Sequence, residues 1–304
     1  MPPADLQPAP LDPTPERPAV DNMRGIAWLL VSVLGATAMT VAVRQLSLEV
    51  ESPMILLLRA GVTVLLLLPV LLVSPGLRGS LRFSRPRQHL LRGGCIGVST
   101  MLGFYAIAEL PLATAVVLFF TAPIWATLLA VLLQGERVGP RRVAAIVAGF
   151  AGALVILRPG VVPADPAMFA ALASSMLFAF ALTMSRALAV ADGPMSTFVS
   201  SVVISVVVAL PFAVPIWQLP VGLLGVLTTL LLVFSGGLRN VADIQAYRLG
   251  EASILAPVSY LRLVSIGAAA YVLFDETPDG ATLLGAAIIV GATLYIARRE
   301  AQKR

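Results

Sequence analysis

Between residues 25 and 297, apolar runs follow one another with polar breaks mostly shorter than ten residues. A hydrocarbon layer of about 30 Å takes about 20 residues of helix to cross, and a backbone in lipid must satisfy its own polar groups. On that ruler the pattern predicts ten helical spans, near 25–46, 53–73, 91–108, 111–133, 142–157, 166–187, 195–216, 222–247, 252–274 and 280–297. Composition leads to the same place. Hydrophobic residues make up 58 % of the chain and charged residues 12 %, against roughly 25 % charged in soluble proteins. Mean hydropathy is +0.93. The expected fold class is an all-α, multi-pass integral membrane protein.

The scarce residues narrow the chemistry. Lys303 is the only lysine, His89 the only histidine and Cys95 the only cysteine. No Walker-type or Schiff-base lysine is available inside the chain. No intrachain disulfide and no His/Cys metal cluster can form, so neither cofactor nor metal is expected. An intramembrane enzyme needs a Ser–His pair, two aspartates or a zinc helix with two histidines. One histidine, placed in the loop 74–92, and one intramembrane aspartate do not supply these, so an enzyme is not expected.

Residues 1–22 hold seven prolines and no apolar run, a composition that predicts a disordered tail. Ala36-Thr37-Ala38 has the look of a cleavage site, but the stretch before it is acidic and proline-rich rather than the basic start of a signal peptide. The first span is read as retained. Arginine and lysine set sidedness. The 74–92 and 134–142 segments, the C-terminus and Arg17, Arg24, Arg186, Arg239 and Arg248 gather 17 of the 21 basic residues on or near one side. That charge marks membrane sidedness rather than a nucleic-acid surface, and it places both termini in the cytoplasm of a cytoplasmic-membrane protein.

The chain also resembles itself. A shift of 140 carries Leu133, Glu136, Leu154, Ile156 and Arg158 onto Leu273, Glu276, Leu294, Ile296 and Arg298; a shift of 142 carries Arg44, Pro69 and Tyr105 onto Arg186, Pro211 and Tyr247. Two copies of five spans, 23–158 and 159–298, enter the membrane from opposite faces, followed by a cytoplasmic tail at 299–304. Inverted repeats are an architecture of alternating-access carriers, with a midplane site where the copies meet.

Gln134-Gly135-Glu136-Arg137 followed by Gly139-Pro140, and Phe274-Asp275-Glu276-Thr277-Pro278, resemble the fourth- and ninth-helix endings of EamA-type carriers of the drug/metabolite transporter superfamily. Arg248-Leu249-Gly250-Glu251-Ala252-Ser253, Ala256-Pro257 and Tyr260-Leu261-Arg262-Leu263 are similar to that family's junction of helices eight and nine. Asp275 departs from the family's usual glycine. The resemblance covers roughly 24–298 and implies ten helices, gradient-driven or exchange transport of small organic solutes, and a cavity lined by helices 3, 4, 8 and 9.

Charges inside the spans mark the candidate site, because an arginine at the bilayer centre costs about 2.5–3.5 kcal/mol on insertion scales. Arg262 lies deep in the ninth span, with Ser259 and Ser265 three residues to either side. Arg239, Asn240, Asp243 and Tyr247 form a stripe on the eighth. Asp243 either neutralises Arg239 as an i,i+4 pair, holds Arg262 between substrates or couples protons. Arg59, near the outer end of the second span, is a further candidate. Trp125, Tyr260 and Tyr105 either stack on a planar solute or pack the bundle. Thr37, Thr40 and Arg44 share one face of the first span, and Thr114, Thr121 and Trp125 one of the fourth, the usual stuff of helix–helix hydrogen bonds. Small-residue faces at Ala145/Gly149/Ala153 and Ala287/Gly291 suit tight packing or a homodimer contact.

Three arginines against one acid favour an anionic or zwitterionic organic solute. The expectation is a secondary carrier of such a metabolite. A neutral aromatic amino acid or vitamin-like solute is the alternative cargo, and a channel or scaffold the alternative class.

Overall fold

The computed structural model describes residues 21–134, 140–158, 165–250 and 252–301. The tail before Asp21, the Gly135–Gly139 part of the first family-like motif, Glu251 and the last three residues lie outside them. The regular structure of the described residues is all helical, with no strand among them. In chain order the helices are α1 (Asn22–Leu46), α2 (Ser52–Val73), α3 (Pro75–Gly79), α4 (Pro86–Glu109), α5 (Leu112–Phe119), α6 (Ala122–Gln134) and α7 (Pro140–Leu157). There follow α8 (Pro166–Asp192), α9 (Pro194–Ala213), α10 (Gly222–Leu249), α11 (Ala252–Ser259), α12 (Leu261–Phe274) and α13 (Gly280–Ala301).

Among the described residues, seven helical stretches are long and apolar enough to cross a membrane, one of them running through α5 into α6; Val143–Leu157, Leu261–Phe274 and Gly280–Tyr295 are shorter apolar helices. Leucines and valines stand outward on α2 and α10, among them Leu65, Leu72, Leu223 and Leu227. In water such a surface would aggregate; in lipid it is the solvated face. The chain is a multi-pass membrane protein.

Small residues set which helices meet. α1 lies antiparallel to α10: a Cβ on Gly25 would stand 2.9 Å from Gly250 Cα, and one on Gly35 3.2 Å from the Arg239 amide nitrogen. At the far end Val221 N–H donates to Glu49 (3.0 Å). α4 lies between α8 and α9, with Ser99 and Ser174 exchanging hydroxyl-to-carbonyl hydrogen bonds of 2.8 and 2.7 Å. Gly93 and Gly97 let α4 close on Ile204 and Val208 of α9. α7 and α13 pair through Gly152 and Gly285. Here the Ala145/Gly149/Ala153 face is consumed within the chain, Gly149 meeting Ile124 and Ala292, while Gly291 faces open space.

Several sequence expectations shift. Helix α4 begins at Pro86, so His89 is not a loop residue; it is 3 % exposed in the first turns of that helix. The fourth and ninth spans are each two helices rather than one. Helix α13 continues to Ala301, through part of the expected tail. At Asp275, φ is 54° and ψ 31°, a left-handed C-cap in which the Glu276 N–H reaches back to Ala270 O. That geometry accounts for glycine being usual there.

Candidate solute-binding site

Two breaks in helices put backbone and side chains into the middle of the bundle. Helix α5 ends at Phe119, and Phe120 and Thr121 carry the chain into α6; α11 ends at Ser259, and Tyr260 turns it into α12. Thr121 meets the break's polar needs, donating to Leu118 O (2.6 Å) and sharing a hydrogen bond with Ser175 of α8 (2.8 Å). The two breaks face each other. The Phe120 and Tyr260 rings stack with centroids 5.0 Å apart and planes at 23°. Irregular backbone at membrane depth is tolerated where protein or a cavity receives it.

Arg262 leaves the first turn of α12, just beyond its break. Its Nη2 donates to Asp243 Oδ1 and to Ser32 Oγ (2.7 Å), and Ser32 Oγ donates to the same Asp243 oxygen (2.6 Å). Arg239 Nε stands 3.8 Å from Asp243 Oδ2. Exposure is 18 % for the Arg262 side chain, 27 % for Asp243 and 29 % for Arg239. These groups are therefore shielded but within reach of a solute. Arg59 of α2 comes in from the other side, its guanidinium 5.8 Å from the Phe104 ring centroid and facing Gly236 of α10. Arg239 lies within electrostatic range of Arg59, Asp243 and Arg262. Four charges expected from sequence thus converge, three positive and one negative.

Other expected residues go elsewhere. The break at Tyr260 ends the stripe that was to join Ser259 to Arg262, and Ser265 pairs instead with Thr37 of α1 (2.7 Å). Trp125 turns its ring edge-on to Phe150 of α7 (4.6 Å), with no partner for its indole N–H among the described residues. Tyr105 packs against the apolar core, and Asn240 is exposed on α10. Ser32 and Phe120 were not expected. A serine in a helix of small residues carries no signal, and Phe120 is one of twelve phenylalanines.

Both ends of the bundle carry fastenings. At one, Arg44 Nη2 meets Glu276 Oε1 (2.8 Å), Glu276 Oε2 accepts from the Leu112 N–H at the start of α5 (2.7 Å), and Arg44 also donates to the carbonyls of Ile107 and Ala108. Arg158 pairs with Asp279 beside it. At the other, His89 bridges Asp192 (2.9 Å) and Ser200 (2.8 Å), while Asp192 accepts from the Ser84 N–H. Arg92 holds Ser185 (2.8 Å) and Ser201.

The chain is similar to known proteins. The EamA-like transporter family model matches residues 23–158. A protein of Rickettsia bellii named S-adenosylmethionine uptake transporter is 30 % identical over 276 residues, 91 % of this chain and 94 % of that one. This chain belongs to the EamA-like transporter family. A Rickettsia felis protein of the same name is 30 % identical over 282 residues, covering 91 % and 94 %. A riboflavin transporter of Vibrio cholerae is 28 % identical over 288 residues, covering 92 % and 95 %. One crystal structure shares the fold at a TM-score of 0.58 and 22 % identity, over 92 % of this chain and 99 % of the other. As an EamA-like carrier of the drug/metabolite transporter superfamily, the chain is a membrane transporter of small metabolites, like its relatives, and not an enzyme.

Proposed function

We propose that this chain is a secondary carrier that moves a small anionic or zwitterionic metabolite across a bacterial cytoplasmic membrane by alternating access. One observation carries the reading: Arg239 and Arg262 gather on a single carboxylate, Asp243, with Arg59 of the other half of the chain within electrostatic range of Arg239. A solute acid exchanging with Asp243 for an arginine would find paired donors in place. A zwitterion could satisfy Asp243 as well.

The inverted duplication is part of the proposal, with copies at 23–158 and 159–298. Helices α5 and α11 have equal length and lie 140 residues apart at both bounds; α6 and α12 end 140 apart, as do α4 and α10. The stacked Phe120 and Tyr260 are 140 apart too. On this reading α5–α6 and α11–α12 are single broken spans, the total is ten, and the arginine-rich end with both termini faces the cytoplasm. The Arg44–Glu276 fastening then closes the outer end.

Counterflow uptake in proteoliposomes loaded with pooled organic anions, amino acids or vitamins tests the proposal, with folded Arg262→Ala alongside. Anion or amino-acid uptake that is trans-stimulated and lost in Arg262→Ala is expected. Uptake without trans-stimulation would instead mark a channel. The second reading, a neutral vitamin-like cargo, is favoured by the riboflavin relative and the Phe120–Tyr260 stack. It predicts vitamin uptake that Arg262→Ala leaves intact.

A further inference from the structure

The three arginines are not equivalent. Arg262 is held by Asp243 and Ser32, and Arg239 stands near the remaining Asp243 oxygen. Among the described residues, the Arg59 guanidinium has no carboxylate within ion-pair distance and no hydrogen-bond acceptor. The Phe104 ring covers one of its faces and leaves the five N–H donors of its fork free to reach a solute. Gly236 makes the room: a Cβ there would stand 3.4 Å from both Nε and Nη2 of Arg59. Gly236 precedes Arg239 by three residues, so Arg59 and Arg239 lie along the same side of α10. Asp243 is seven residues from Gly236, about 10 Å along the helix at 1.5 Å per residue. The carboxylate is therefore engaged at one end of this track while a cation stands unmatched at the other.

Resting on the carrier reading and naming its cargo class, we propose that Arg59 and Arg239 form a subsite for a doubly negative head group, a phosphate monoester or a pair of carboxylates. Asp243 and Ser32 meanwhile keep Arg262 out of it. Arginine forks bind such oxygens two at a time. A single carboxylate would leave one of the two guanidiniums uncompensated, and a net cation such as S-adenosylmethionine would meet like charge.

The test is thermal melting of the purified full chain in nanodiscs with inorganic phosphate, succinate, acetate, chloride or S-adenosylmethionine, with counterflow run on the same preparations. Phosphate or succinate is expected to raise the melting temperature at lower concentration than the others. Arg59→Gln and Arg239→Gln are each expected to weaken that protection about tenfold. Arg59→Lys, which keeps the charge, should recover part of it and show that the site still folds. Which dianion protects separates a phosphate from a dicarboxylate cargo. Equal protection by acetate or chloride, none by either dianion, or full protection in Arg59→Gln overturns the subsite. Counterflow that depends on Arg262 but shows no dianion preference ends this proposal and leaves the carrier standing. Dianion protection without counterflow of any pool ends the carrier reading instead.

Discussion

Ser32 is the most enclosed member of the charged cluster, 0 % exposed, and it touches both partners of the Arg262–Asp243 pair. Removing one charge should therefore harm more than removing both. Asp243→Asn is expected to lower the unfolding free energy by about 2 kcal/mol, less than the ~3–5 kcal/mol of a fully buried pair because solvent reaches both groups. Asp243→Asn with Arg262→Gln should recover most of it, and melting of the two single variants and the double closes the cycle. At Asp275 the sign reverses. An L-residue held in the left-handed region costs about 1 kcal/mol, so Asp275→Gly is expected to raise the melting temperature while leaving uptake unchanged. The charged residues were legible because hydropathy makes each of them an exception. Ser32 was not, since its importance comes from a neighbour 211 residues away in sequence. Trp125, Tyr105 and Asn240 show the converse: residue type nominated them, and packing sent them to α7, the apolar core and an exposed face.

Helices in this bundle are held by close approach on one face and by ion pairs at their ends. A Cβ on Gly285 would stand 2.8 Å from Gly152 O, whereas one on Gly291 meets nothing within 4 Å. Gly285→Val is accordingly expected to destabilise the α7–α13 pair by about 1–3 kcal/mol. Gly291→Ala should be neutral or stabilising by about 0.5–1 kcal/mol. Melting of the two variants separates packing from propensity. The Arg44–Glu276 fastening has its own reporter. With Cys95 replaced by alanine, Ala113→Cys is a lone thiol one residue beyond Leu112 at a position 8 % exposed. A membrane-impermeant maleimide should label it slowly, and several-fold faster once Glu276→Gln removes the charge. Unchanged labelling would show that this end does not open there. The breaks in α5–α6 and α11–α12 escaped the span ruler because window hydropathy averages over a single irregular turn. The local signs were Pro123 and Pro257, each of which removes a backbone donor from an apolar run.

The whole chain carries two copies of one plan, on our proposal, yet the charges are shared unequally: Arg239, Asp243 and Arg262 come from the second copy and Arg59 from the first. Shifted by 140, Arg239 and Asp243 fall on Ser99 and Gly103; shifted by 142, Ser32 falls on Ser174, which lies against Gly103. The duplication we propose leaves its mark in the sequence as a constant offset, which survives divergence. The sequence could not show that α1 closes on α10 and α4 on α8, since those contacts depend on glycines scarcely distinguishable from their neighbours. Reporter fusions check the sidedness that follows: a C-terminal fluorescent protein should mature in cells, and a C-terminal phosphatase should stay inactive. The unmatched Arg59 has an electrical consequence for such a carrier. Each elementary charge moved across the membrane is worth about 2.3 kcal/mol per 100 mV. An empty cluster with two excess positive charges would be drawn toward the negative interior, and a bound dianion would erase that pull. The membrane voltage would then hinder the return of an unloaded protein far more than the passage of a loaded one, making one-for-one exchange the easy cycle.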